Sequence, residues 1–309
     1  MAGDKGVLFL YGQSWLHPGA GASTEAIDLP VQREVHTKYP VIPASSVKGS
    51  LREVAEETVP QGVVDSIFGP GVGTDEHFAG ALSVGDAKLL LFPVRSLTRL
   101  FFWVTSPIAL ERFRRDLRLV GLDPDWEVPS VDKEKALLPT ECDTPSRLYL
   151  EELDFEPQGM PQVSAIAEYI ADKLQAEVIG EVFQKKLTTD LAVVDDEQFS
   201  YFVRYATQVS ARTQLTSNKT TDATVGPDGK SGEKGNLWYE ETLPPETVFY
   251  VPLMADGAKG GEAKEDLNSG RAVMDKLSTE VLARPYIQLG GNETLGHGWC
   301  ATFLVRGDE

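Results

Sequence analysis

The stretch from Leu16 to Arg52, LHPGAGASTEAIDLPVQREVHTKYPVIPASSVKGSLR, constrains the fold of this chain more than any other. Pro18, Gly19, Gly21 and Pro30 break regular structure, so residues 17–43 are predicted to form one long irregular loop. A loop of that length inside a compact domain is usually functional or disordered. It is bracketed by two well-marked elements. Before it, Gly6 to Leu16 (GVLFLYGQSWL) is apolar and rich in β-formers, which predicts a buried first strand. After it, Ser45–Val59 reads as a helix stopped by Pro60 and Gly62. Spacings of three and four place Ser45, Lys48 and Arg52 on one helix face. A helix start beside such a face offers N–H groups and a positive dipole end to an anion. Asp28 stands in the loop ahead of it, between Ile27 and Leu29. An aspartate there serves as a turn or cap carboxylate, or as an acid–base group acting on the bound anion.

Charge limits what the anion can be. The net charge of −18 argues against a general nucleic-acid binder. The acid is concentrated, however. Residues 122–200 carry net −13, whereas 1–52 carry +1, 86–121 carry +4 and 201–236 carry +2. That pattern suits a protein with an RNA-facing side and an acidic outer side, and equally a soluble enzyme with a charged surface. No leader or membrane-length apolar run is visible, and Cys142 and Cys300 make no metal or disulfide framework, so a cytoplasmic protein is expected.

Further along, residues 80–105 predict two or three strands with Pro93 at a bend. Ser106 as N-cap, Pro107 as first residue and Gly121 as stop mark a helix. Its core stripe is Leu110, Phe113, Leu117 and Val120, with Arg112, Arg115 and Arg118 on another face. Residues 122–160 read as a Pro- and acid-rich insertion, followed by one amphipathic helix from Val163 to about Lys186. Phe199–Gln208 has β-type character. Thr213–Asn236 lacks large apolar residues, which predicts a mobile loop or a hairpin tip. Strand segments then flank Pro244 and Pro245, a last helix covers 263–283, and Trp299–Val305 closes the chain.

The run GGNETLGHGW is glycine-rich without being a nucleotide loop. Gly291 and Gly296 have P-loop spacing, but His297 stands where Lys is required and no helix-length sequence follows. Two readings stay open: tight turns needing positive φ, or a loop that lets backbone approach a sugar–phosphate chain. His17, His36, His77 and His297 have no metal-ligand spacing.

Taken together, HPGAG, IDLPVQREVHTKYPVIPASSVKGSLR and YIQLGGNETLGHGW resemble the RAMP superfamily of CRISPR-associated RNA-binding proteins. Within it they are most similar to the backbone subunits of type III-B (Cmr) effector complexes. The likeness is dense over residues 7–105 and 236–306 and thin between them. It implies an α+β fold: a ferredoxin-like, RRM-related RAMP core with a helical lid insertion and a β-hairpin thumb. Residues 1–121 would hold the first part of the core and the Asp28 loop, and 122–200 the acidic lid. Residues 201–309 would hold the rest of the core, with the thumb near 209–245 and the glycine loop at 290–298.

The resemblance also implies a chemistry. RNA carries its own nucleophile, the 2′-hydroxyl, so a nuclease need only orient it, take its proton and stabilise the phosphorane. Asp28 matches the family's cleaving aspartate, served by a loosely bound Mg²⁺ or Mn²⁺, with His17, Tyr239 and Glu240 as its expected catalytic neighbours. Ser45, Ser46, Lys48, Arg52, Gly290, Gly291, Gly296 and Gly298 are the expected RNA-binding residues. The implied partners are guide crRNA, single-stranded target RNA, further copies in a helical filament and other type III-B subunits, with no membrane. A non-catalytic guide-binding scaffold is one alternative. A metabolic enzyme holding a phosphate-bearing ligand at the Ser45 helix start is the other.

Overall fold

In the computed structural model, residues 3–24, 26–71, 73–143, 146–213 and 237–307 are described. Strand β1 (Asp4–Gly12) alternates its side chains between two hydrophobic clusters. Leu8 and Leu10 enter one; Val7, Phe9 and Tyr11 enter the other. A strand buried on both faces becomes the middle of a sheet, with helices above and below it. After the long loop come β2 (Val41–Ile42) and α1 (Ala44–Thr58). Pro60 stops α1 as expected, but it also starts α2 (Gln61–Phe68), which the sequence reading missed. Strands β3 (Leu82–Val84), β4 (Ala87–Arg95) and β5 (Phe101–Thr105) follow. Pro93 lies inside β4, opposite Trp103, and not at a bend.

Helix α3 (Pro107–Leu119) forms as its capping sequence dictates. The Ser106 hydroxyl accepts from the Ala109 N–H, Gly121 takes a φ of +84°, and the whole predicted stripe is buried. The arginine row is largely spoken for: Arg112 is bound to Glu34 and Arg118 to Asp123 (2.9 Å), while Arg115 stays exposed. Burial by itself would push the Glu34 carboxyl up; hydrogen bonds from Arg112 and Thr37 outweigh it and hold it below the usual range.

The acidic segment is more than a helical insertion. It supplies β6 (Lys135–Leu138), β7 (Leu148–Leu150) and β8 (Leu153–Gly159). The single helix expected to Lys186 is broken into α4 (Pro161–Lys173), α5 (Ala176–Ile179) and α6 (Glu181–Thr189), with Gly180 at φ +93° between the last two. Strand β9 (Leu191–Val193) and helix α7 (Asp196–Tyr205) complete it. Helix α7 corrects the β reading of 199–208. Asp195 caps it, and Phe199, Phe202 and Val203 bury one face at helical spacing, overriding their β propensity.

Strands β10 (Gln208–Thr213) and β11 (Leu237–Thr242) pair antiparallel as a separate two-stranded ribbon. Most of the expected thumb, residues 214–236, lies outside the described residues. Beyond Pro244 and Pro245 the chain enters β12 (Val248–Ala255), which joins the main sheet and does not pair with β11. Helix α8 (Gly270–Lys276) runs into a π-helical turn at Leu277–Val281, shorter than the helix expected over 263–283. Strands β13 (Tyr286–Gln288) and β14 (Trp299–Arg306) finish the chain.

The main sheet runs β13-β14-β1-β12-β4-β5-β9-β6-β8-β7, with β2 beside β4 and β3 beside β12. Strands from 1–121 and 201–309 therefore alternate in one sheet, and 122–200 extends it past β5. Helices α1, α2 and α8 cover one face with Leu8 and Leu10. Helices α3 and α4 cover the other with Val7 and Phe9. Among the described residues no helix is long and apolar enough to cross a membrane.

Candidate active site

The long loop does not hang free; it is laid along β11. Leu29 pairs with Glu240 in parallel register. The Leu29 N–H donates to the Tyr239 carbonyl and the Glu241 N–H to the Leu29 carbonyl, both at 3.0 Å. One residue earlier, the Asp28 carboxylate accepts the Tyr239 N–H through Oδ2 at 2.7 Å. Asp28 is thus bonded at the edge of β11, partly exposed, at the foot of the β10–β11 ribbon.

His17 belongs to the same assembly. Its Nδ1 lies 2.7 Å from the Glu241 carbonyl oxygen, which can only accept, so Nδ1 carries the proton. In the neutral ring this leaves Nε2 as an acceptor. The His17 carbonyl in turn accepts the Gly291 N–H at 2.9 Å. Gly290 takes a φ of +86°, and a Cβ there would stand 2.5 Å from the His17 carbonyl oxygen. The glycine run is therefore required first for its own turn and for close packing on the HPGAG segment. Gly296 and Gly298 also hold positive φ. His17, Gly19, Leu29, Ser46, Gly290 and Gly291 line a cavity of about 380 Å³.

Strand alternation sends Tyr239 and Glu240 to opposite faces of the ribbon. Tyr239 is exposed on the outer face with Val209 and Leu237, and it meets Asp28 through its backbone. Glu240 is buried, its carboxylate bound to the Asn292 amide and 3.7 Å from Arg212 Nε. It links the ribbon to the glycine loop. His297 adjoins this group with its Nδ1 buried and unpartnered. Burial, then Arg212 and His17, hold its imidazole below the usual pKa, against an opposing pull from Glu240.

The helix start differs from the sequence picture. Pro43 precedes α1 without a side-chain cap, and the Ala44 N–H is already taken by Asp86 at 2.7 Å. A ready-made anion site at that terminus is weakened by an acid sitting on it. Ser45 and Ser46 are exposed and diverge: Ser46 faces the His17 cavity. Ser45 and Lys48 face a second cavity of about 810 Å³ shared with Gly69, Gly71, His77 and Gly80. Lys48 Nζ donates to the Leu82 carbonyl at 3.1 Å, and burial, then the Arg52 charge, hold its pKa below the usual value. Arg52 is committed to Glu56, Asp65 and the Gly69 carbonyl, which pins α1 to α2.

Sequence reasoning overlooked Glu241, Arg33, Asn292 and Arg212. The adjacent acids of WYEE offered a signal: in β11 both carboxylates are buried, one on each face, and a buried carboxylate demands donors. Among the described residues, no group of three or more His, Cys, Asp or Glu side chains is placed to hold a metal ion. The residues present fit a cation held loosely by one partly exposed carboxylate, not a protein-built cage.

Three comparisons with known proteins bear on this geometry. The family model described as the RAMP superfamily matches residues 10–301. The "CRISPR system Cmr endoribonuclease Cmr4" of Pyrococcus furiosus is 34% identical over 299 residues, covering 96% of this chain and 94% of that protein. The crystal structure of oligomeric Cmr4 from Pyrococcus furiosus superposes with a TM-score of 0.72 at 28% identity, covering 100% of both chains. A chain of the type III-B Cmr-beta complex bound to cognate target RNA gives 0.69 at 20% identity, over 97% of this chain and 96% of that one, a likeness of fold.

Proposed function

The chain belongs to the RAMP superfamily, and on that premise we propose that it is the backbone subunit of a type III-B effector complex. In this reading copies of it line a guide RNA in the cytoplasm beside other type III-B subunits and cleave the paired target RNA at Asp28. The observation that carries the reading is the full-length likeness to a Cmr endoribonuclease. The oligomeric state of the superposed relative supports self-assembly.

The antiparallel order β14-β1-β12-β4, with α1 and α8 as the two crossings, supports a ferredoxin-like core. The β10–β11 ribbon is read as the base of the thumb, and α4–α6 as the helical part of a lid. Lys48 and the exposed hydroxyls of Ser45 and Ser46 are read as guide-phosphate contacts.

At the cleavage site the target's 2′-hydroxyl oxygen attacks the adjacent phosphorus. The O2′–P bond forms as the P–O5′ bond breaks, and the departing O5′ takes a proton from water, leaving a 2′,3′-cyclic phosphate and a 5′-hydroxyl. Asp28, fixed by the Tyr239 N–H, takes the 2′-hydroxyl proton. Asp28 would also hold the Mg²⁺ or Mn²⁺, which supplies charge stabilisation of the phosphorane when bound. His17 lines the neighbouring cavity with Nδ1 committed to Glu241, so its orientation is set before RNA arrives.

The test is Asp28→Asn in the assembled, guide-loaded complex, measured under single-turnover conditions. Loss of the acid–base group is expected to slow cleavage by about two to four powers of ten, with guide binding and assembly retained. Wild-type cleavage should stop in chelator, and a 2′-deoxynucleotide before the cut should block that cut alone. Cutting at the wild-type rate by Asp28→Asn would make the chain a scaffold.

A further inference from the structure

We propose that Glu241 is the positioning residue of the cleavage site, acting through Asp28; the inference rests on the reading of Asp28 given above. Every polar group of Glu241 ends on the segments that carry the site. Its N–H donates to the Leu29 carbonyl and its carbonyl accepts from His17 Nδ1. One carboxylate oxygen accepts the Val31 N–H at 3.0 Å. The other accepts the Arg33 guanidinium and, at 2.8 Å, the Thr207 hydroxyl. Leu29, Val31 and Arg33 are the alternate residues following Asp28, so the downstream side of that loop closes on one residue, Leu29 on its backbone and Val31 and Arg33 on its side chain.

The environment makes the arrangement stiff. Glu241 is 3% exposed and its partner Arg33 17%. Arg33 also donates to the carbonyls of Val203 (2.7 Å) and Lys38 (3.0 Å), tying the loop to the end of α7 and to its own later residues. A buried carboxylate with this set of donors holds them in fixed places, because any rotation would strand a charge or an N–H. Upstream, the Asp28 carboxylate is bonded to the same strand two residues before Glu241, at the Tyr239 N–H. A shift of β11 relative to the loop would therefore move the carboxylate that takes the proton. The geometry assigns Glu241 no contact with RNA; its work is to keep Asp28 and His17 in register on one strand.

Glu241→Gln is the discriminating change. The amide keeps one acceptor oxygen but presents an NH₂ to either the Val31 N–H or Arg33, so one donor is opposed by another. In the guide-loaded complex, single-turnover cleavage should fall by about 10²-fold, the scale expected of a displacement near 1 Å in a reacting group. Target affinity should stay within about twofold, because no RNA contact is removed. Hydrogen exchange should rise in the 26–33 segment and in β11. In an Asp28→Asn background, Glu241→Gln should cause no further loss of rate, since the group it positions is gone.

Should Glu241→Gln fail to assemble, Arg33→Lys tests the same bond with charge retained, and the same rate loss without loss of target affinity is expected. The inference is overturned if Glu241→Gln cuts at the wild-type rate, if its rate loss follows lost target binding, or if the two changes multiply in the double variant. An Asp28→Asn complex that cuts normally removes the reading of Asp28 and this inference with it. An inactive Asp28→Asn beside a fully active Glu241→Gln removes only this inference.

Discussion

The two ends of the Leu16–Arg52 stretch are built in opposite ways. At the Asp28 end the loop is stitched to β11 by backbone pairing, a bonded carboxylate and the buried Arg33–Glu241 pair. At the α1 end Ser45 and Ser46 are exposed, and Lys48 holds a single carbonyl beside a wide cavity. Under the proposed function, the contrast matches two physical needs. Bond making and breaking is lost when reacting groups drift by an ångström, so its residues must be over-determined. Holding a phosphate chain of any sequence needs exposed donors and charge that can adapt.

Changes that loosen the docked end should cost folding stability, and those at the open end should cost affinity instead. Gly290→Ala should have the largest effect on folding. Its φ of +86° and the 2.5 Å approach to the His17 carbonyl leave no room for a Cβ. A loss of about 1–3 kcal/mol is expected, seen calorimetrically as a Tm lower by a few degrees. An unchanged Tm would show that the glycine loop is not pressed onto His17.

Glu246, in the turn leaving the docked region, is the exception on that side: a largely buried carboxyl with one oxygen unpartnered and a φ of +71°. Burial pushes its pKa from 4.5 up to about 7. Between those values the folded chain keeps a proton that the unfolded chain has released. The stabilisation is complete below about pH 4.5 and is lost as pH rises through about 7. Glu246→Gln should remove this slope and raise stability at pH 8 by on the order of 1 kcal/mol. Thermal unfolding at pH 5 and pH 8 checks it; an identical difference in both proteins would assign the slope elsewhere.

Lys48→Ala should have the smallest effect on folding, within about 1 kcal/mol, since one hydrogen bond is lost. Its readout is guide-RNA affinity against salt, where the log–log slope should flatten by about one. Lys48 is tested alone because Arg52 already holds α2 through Asp65 and the Gly69 carbonyl. A steep, unchanged slope would place the guide phosphates off this helix.

Several elements were legible because their signals are local. Ser106, Pro107 and the Leu110–Val120 stripe specify α3 by capping and periodicity alone. In the glycine run, Gly290, Gly296 and Gly298 took the positive φ that a tight turn needs. Helix α7 was misread because Phe, Tyr and Val favour strands in isolation, whereas burying Phe199, Phe202 and Val203 on one side favours a helix. Of the two breaks in the 163–186 helix, the second turned on Gly180, a weak signal against a strong apolar repeat, and the first, where Leu174 and Gln175 turn extended, has neither Gly nor Pro to mark it. Residues 122–200 looked like an appendage because short strands in acidic sequence show little alternation; only the pairing of β9 with β5, and of β6 with β9, reveals them as sheet.

By itself the sequence determined which segments are strand, loop or helix wherever periodicity and caps act over a few residues. It also marked Asp28, His17 and the glycine run as unusual, since their chemistry is carried by residue type. What only the tertiary structure decided is who meets whom. Glu240 and Glu241 are adjacent and alike in sequence, yet one joins the glycine loop and the other closes the Asp28 loop, because a strand points neighbouring side chains to opposite faces. That choice depends on partners more than 200 residues away in the chain, Val31 and Arg33. A carboxylate's role is set by the donors around it once water is excluded, and those donors are assembled only by the fold.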